Sequence, residues 1–145
     1  MLVASVRAMP CTALAMSGGA NRGAWEAGVL WGLAHYGNPE DYHYDVISGV
    51  SAGSINTAGL AGWAPEDIVE MTEYMSDVWL GLTNSDVWNE RPDPYVQIPL
   101  GEPSLLDDSA ALATIRDVMS LKSDFAKRVT VASVDLQTGE YHEFN

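Results

Sequence analysis

The sequence predicts an α/β layered fold built on a largely parallel sheet. Three observations lead there. Short apolar or β-branched runs alternate with segments of helical period. Two strand-to-helix passages, residues 17–23 and 49–53, are rich in glycine. The order strand, helix, strand, helix, strand separates successive strands by helix-length segments, as parallel pairing requires.

Residues 11–17 (CTALAMS) read as a buried strand in which Cys11 is a small apolar filler. Residues 23–36 carry Trp25, Val29, Leu30, Leu33 and Tyr36 at helical spacing, closed by Gly37, and Gly37-Asn38-Pro39 is a turn. Residues 44–48 form a short second strand, and 52–60 a helix rich in Ala, Gly and Ser. Pro65 followed by Glu66 and Asp67 opens the next helix, because proline suits a first turn and carboxylates suit the positive end of the helix dipole. Its apolar positions Ile68, Met71, Met75, Val78, Trp79 and Leu82 keep the helical period, which makes Met71, Met75 and Trp79 core residues. Prolines at 92, 94, 99 and 103 mark residues 84–103 as a long surface loop. A helix follows within 104–120, capped near Asp108 or Ser109. Residues 128–135 are a β-branched strand that turns at Gln137-Thr138-Gly139 into residues 140–144. The chain stops inside this hairpin with no closing helix, so an incomplete domain is expected.

At 145 residues the chain suits one domain with a real core. A formal net charge of −13 repels nucleic acid, so nucleic acid is excluded as a partner. The single cysteine permits no internal disulfide and no cysteine metal cluster, and no metal or other cofactor is expected. No apolar run approaches the roughly 18 residues that span a bilayer. Residues 1–10 read as a short leader into the first strand: Arg7 follows the first apolar residues and Pro10 interrupts the run, unlike a signal peptide. A cytoplasmic protein is expected.

The stretch Gly49-Val50-Ser51-Ala52-Gly53 is G-x-S-x-G between a strand and a small-residue helix, the setting of a nucleophile elbow. Such a serine stands on a sharp turn, with Gly49 and Gly53 letting strand and helix pass closely. The motif alone also fits a plain glycine-flanked turn. Acyl transfer through serine further needs N–H donors for a tetrahedral oxyanion. Gly18-Gly19-Ala20-Asn21-Arg22-Gly23, at the end of the neighbouring strand, offers them. Its glycine spacing also fits a Walker A loop, but Ala24 and Trp25 stand where Lys and Ser/Thr are needed. The dinucleotide pattern G-x-G-x-x-G fails because Ala20 occupies the middle glycine.

The stretches SGGANRGAWEAGVLWGL and ISGVSAGSINTAGLAG together resemble the N-terminal half of the patatin-like phospholipase family, as do SLLDDSAALATI and VTVASVDLQTGEYHEF downstream. The resemblance covers nearly all the chain from Cys11 onward and implies a three-layer α/β/α fold with a central, mostly parallel sheet. It implies a lipid acyl hydrolase with a Ser–Asp dyad and no metal: Ser51 as nucleophile, Gly18, Gly19, Ala20, Arg22 and Gly23 as the oxyanion loop with Arg22 its basic residue, and Gly49 and Gly53 as elbow glycines. The implied partners are an acyl-ester lipid and, transiently, a membrane surface. Trp88 and Tyr95 become candidates for an acyl-pocket wall or lid, beside simple loop anchoring.

Two departures stand out. The family usually carries a third glycine where this chain has Ala20. Its aspartate lies in a D-G-[AG] motif, and this sequence has no Asp–Gly dipeptide. Asp135 reads as a turn-initiating residue, Asp107 and Asp108 as helix caps. The order Ser51, Asp135, His142 formally matches a histidine triad, but the last two share one tight hairpin. His35 suits the C-terminal end of its helix and His43 a turn. A helix-surface pair of Arg22 with Glu26, four residues on, is compatible with any role in the oxyanion loop. The alternative function is a catalytically inactive fragment or binding module on the same scaffold. The sequence does not fix the oligomeric state.

Overall fold

The computed structural model describes residues 11–101, 106–122 and 124–145. The leader expected at 1–10 lies outside them. The sheet holds β1 (Ala13–Met16), β2 (Val46–Val50), β5 (Arg128–Val134) and β6 (Tyr141–Phe144), in the order β1-β2-β5-β6. β1 and β2 run parallel, with Leu14 opposite Ile47, and β2 and β5 run parallel, with Ile47 opposite Val129. β6 closes antiparallel on β5. A small separate ribbon pairs β3 (Asn89–Glu90) with β4 (Leu106–Asp107).

The helices are α1 (Gly23–Tyr36), α2 (Ala52–Leu60), α3 (Ile68–Gly81), α4 (Pro94–Gln97) and α5 (Ser109–Ser120). α2 lies directly against the sheet, and α1, α3 and α5 pack on α2. Between them sit Met16, Leu30, Ile47, Leu60, Ile68, Met71 and Met75, all buried. The mixed α/β fold with a mostly parallel sheet is therefore as predicted. The described residues supply the sheet and one helical layer of it, while Ala13, Ala15 and Val50 are exposed on the sheet's other face.

Several local expectations need correction. β1 starts two residues late and Cys11 is exposed, because the ladder opens at Thr12, whose N–H donates to Asp45 Oδ2 (3.0 Å). α1 has the expected bounds but buries a different stripe: Gly23, Ala27, Leu30 and Ala34 face inward, whereas Trp25 and Tyr36 are 72% and 84% exposed. Small side chains on the inner face let α1 approach its neighbours closely, which hydrophobicity counting undervalues. α3 begins at Ile68 because Pro65 and Glu66 form a turn, closed by the Asp67 N–H donating to Ala64 O (3.0 Å). Within the predicted loop at 84–103, the chain builds a 3-10 turn at Asn84–Asp86, then β3 and α4. The turn starts with a capping box, Thr83 and Asp86 bonding reciprocally. Of the two expected caps of α5, Asp108 stands at the N-cap without a side-chain bond, and Asp107 supplies the bonds: its carboxylate accepts the Ser109 N–H and O–H, each at 3.0 Å. Those bonds hold its pKa below the ordinary value.

Candidate active site

β2 ends at Val50 and α2 begins at Ala52, so Ser51 alone turns the chain. Its backbone sits at φ 56° and ψ −123°, a region costly for any residue with a Cβ. A serine at a helix N-cap normally turns its hydroxyl onto a first-turn N–H. Ser51 makes no such bond, and its exposed hydroxyl has no hydrogen-bond partner among the described residues. The turn is tight because nothing intrudes. A Cβ on Gly49 would overlap the Gly53 carbonyl, and one on Gly53 would lie 2.5 Å from Met16 O and 2.7 Å from Ser17 O. Ser54 Oγ fastens the corner by donating to Gly49 O (2.7 Å).

Residues 17–23 leave β1 and enter α1 beside this corner. A Cβ on Gly18 would stand 3.0 Å from Ser51 Cβ and 3.7 Å from its Oγ, so the loop start lies directly against the serine. Ala20 has φ 50°, and the Arg22 N–H donates to Gly19 O (3.0 Å), closing a 3-10 turn over Ala20–Arg22. Ala20 and Asn21 then line one cavity with Ser51. Arg22 is exposed at the turn. Gly23 faces elsewhere: it is buried, and a Cβ there would meet the Trp79 ring at 2.5 Å. The structure thus brings Gly18, Ala20 and Ser51 together and uses Gly23 to seat α1.

That cavity measures about 690 Å³. Ile55, Met75, Val78 and Trp79 line it together with Val87, Trp88, Ile115 and Val118. Trp88 is therefore a wall residue, while Tyr95 is 87% exposed and outside the lining. Asp86 also reaches the lining. Its carboxylate is occupied by the Thr83 O–H (2.6 Å) and N–H (2.7 Å), which lower its pKa and make it a poor proton acceptor.

The other titratable candidates are engaged away from Ser51. Asp135 accepts the N–H groups of Gln137 (2.7 Å) and Thr138 (3.1 Å), a turn-initiating aspartate with a lowered pKa. His142 lies 4.0 Å from Glu140. His35 stacks on Trp31 and sits 3.1 Å from Glu73, joining α1 to α3. Glu26 does not pair with Arg22: its Oε1 accepts the Ser17 N–H (2.8 Å) and O–H (3.2 Å), and its Oε2 accepts Asn56 Nδ2 (3.1 Å). No helix of the described residues is long and apolar enough to cross a membrane.

The sequence model of the family described as patatin-like phospholipase matches residues 14–141. The chain belongs to that family. Both glycine-rich passages of this patatin-like chain fall inside the matched segment. Among solved structures, the heterodimeric complex ExoU-SpcU from the type III secretion system of Pseudomonas aeruginosa is similar at 18% identity, with a TM-score of 0.45. The similarity covers 94% of this chain and 33% of that one, so this chain spans about a third of its length. No curated protein matches the chain.

Proposed function

We propose that this patatin-like protein is a serine-dependent lipid acyl hydrolase in which Ser51 is the nucleophile. The observation that carries the proposal is the strained, exposed Ser51, whose hydroxyl caps nothing and faces a largely apolar cavity beside Gly18. Strain of this kind concentrates where chemistry needs a side chain presented. The N–H groups near Gly19 and Ala20 are the oxyanion donors of this proposal, and the start of α2 favours negative charge at the same corner.

In the reaction, Ser51 Oγ attacks the acyl carbonyl and its proton passes to a carboxylate. The oxyanion collapses, expelling the alcohol, which takes that proton. Water then adds to the acyl-serine, gives a proton to the same carboxylate, and releases the fatty acid while Ser51 regains its hydroxyl. The carboxylate is an aspartate that these 145 residues do not include in an Asp–Gly setting. Without it, Ser51 keeps at most residual reactivity. The supporting experiment is hydrolysis of acyl esters by the full-length protein. Ester cleavage that disappears in Ser51→Ala supports the proposal; cleavage that survives the substitution overturns it. A scaffold without activity is the outcome if no ester is cleaved at all.

A further inference from the structure

One polar network grips both ends of the loop that lies against Ser51. At the loop's start, the Ser17 N–H and O–H both donate to Glu26 Oε1. At its end, the Gly23 carbonyl accepts Asn56 Nδ2 (3.1 Å), and the same amide group donates to Glu26 Oε2. Asn56 is 1% exposed, and its Oδ1 accepts the Trp79 indole N–H at 2.8 Å, so its rotamer is fixed by three bonds. It lies on α2, five residues after Ser51. The helix that starts at the serine therefore also carries the anchor of the loop. Charge-assisted bonds to a carboxylate are about twice as strong as neutral ones, and Glu26 also sits in the first turn of α1, where a negative charge is favoured.

We infer that Glu26 and Asn56 are positioning residues: they hold the Ser17–Gly23 loop in register with Ser51, and thereby set how fast the serine is acylated. The catalytic half of this inference rests on the hydrolase proposal; the holding half does not. Neither residue is hydrogen-bonded to Ser51, and the Asn56 side chain, though it lines the same cavity, is taken up by Gly23, Glu26 and Trp79. Their effect comes from keeping Gly18 beside Ser51 and the following N–H groups at a fixed height above it, where a displacement of about 1 Å can lower a rate about 100-fold.

The test is made in the full-length protein with Glu26→Leu, Glu26→Gln and Asn56→Leu, and with Ser17→Ala as a mild control that keeps the backbone bond. Amide hydrogen exchange is read on residues 17–23 and, separately, on β2 and α3. In Glu26→Leu the loop should exchange at least about tenfold faster while β2 and α3 keep wild-type protection. Glu26→Gln, which retains an acceptor for Ser17, should fall between. Labelling of Ser51 by a fluorophosphonate should slow about 100-fold in Glu26→Leu and much less in Ser17→Ala, with KM for an ester little changed and kcat lowered. Unchanged loop exchange in Glu26→Leu overturns the inference, whatever Ser51 does. Faster loop exchange with unaltered labelling overturns its catalytic half. If wild-type Ser51 is unreactive, the hydrolase proposal falls and with it the catalytic half, and exchange alone decides the holding role. Should Asn56→Leu fail to fold, Glu26→Leu and Glu26→Gln still decide, because Glu26 is only half-buried.

Discussion

Ser51 stores strain, and removing its side chain should reveal how much. At φ 56° and ψ −123° the residue lies in a region where a Cβ costs about 1–3 kcal/mol. Ser51→Gly relieves that cost but adds roughly 0.5–1 kcal/mol of chain entropy in the unfolded state. The net expectation is a gain of about 1 kcal/mol, which for a chain of this size raises the melting temperature by about 2–4 °C. Ser51→Ala keeps the Cβ and loses a hydroxyl that has no partner among the described residues, so its stability should stay within about 0.5 kcal/mol of wild type. Thermal unfolding of the three proteins side by side, checked by urea titration, measures both effects. The reasoning is refuted if Ser51→Gly melts at or below Ser51→Ala, for then the corner carries no strain to relieve.

Four further outcomes follow, three from backbone geometry and one from a buried charge. Gly53→Ala places a methyl 2.5 Å from Met16 O and against the Met16–Ser17 backbone, and should lower stability in urea by about 3 kcal/mol. Gly28→Ala, in open space on α1, should instead raise it by up to about 1 kcal/mol. Ala20→Gly removes a positive-φ alanine at φ 50° and should raise the melting temperature slightly without slowing Ser51 labelling. Burial pushes the Lys127 ammonium, which donates to Trp63 O, down from 10.5 to about 8, against the opposing pull of Asp67 and Glu66. A lysine with a lowered folded pKa makes the unfolded chain bind more protons between those values, so stability rises with pH from about 8 to 10. Lys127→Met should flatten that rise in urea titrations across the range.

Much of the fold was legible because its cues are local. The bounds of α1 and α2 follow from glycine-rich entries and periodicity, and the parallel direction of β1, β2 and β5 follows from helices between strands. The inward face of α1 was not legible. Trp25 and Tyr36 carry far more apolar surface than Ala27 and Ala34, yet close helix packing selects the small residues. The ribbon of β3 and β4 was hidden because two-residue strands have no period, and prolines disguise α4. At the site, G-x-S-x-G and the glycine loop identify the corner. They say nothing of Glu26, Asn56 and Trp79, whose bonds join positions 9 to 33 residues apart in sequence. One signal was available: a lone asparagine in the otherwise small and apolar run around residue 56, a polar group needing partners once buried.

Reaction of the full-length protein with a fluorophosphonate, followed by peptide mapping, asks most directly whether the corner between β2 and α2 is a working nucleophile. The adduct should sit on the peptide containing Ser51 and vanish in Ser51→Ala while the fold persists. An unmodified serine at that exposed turn, or equal labelling of the Ser51→Ala protein, would contradict the account.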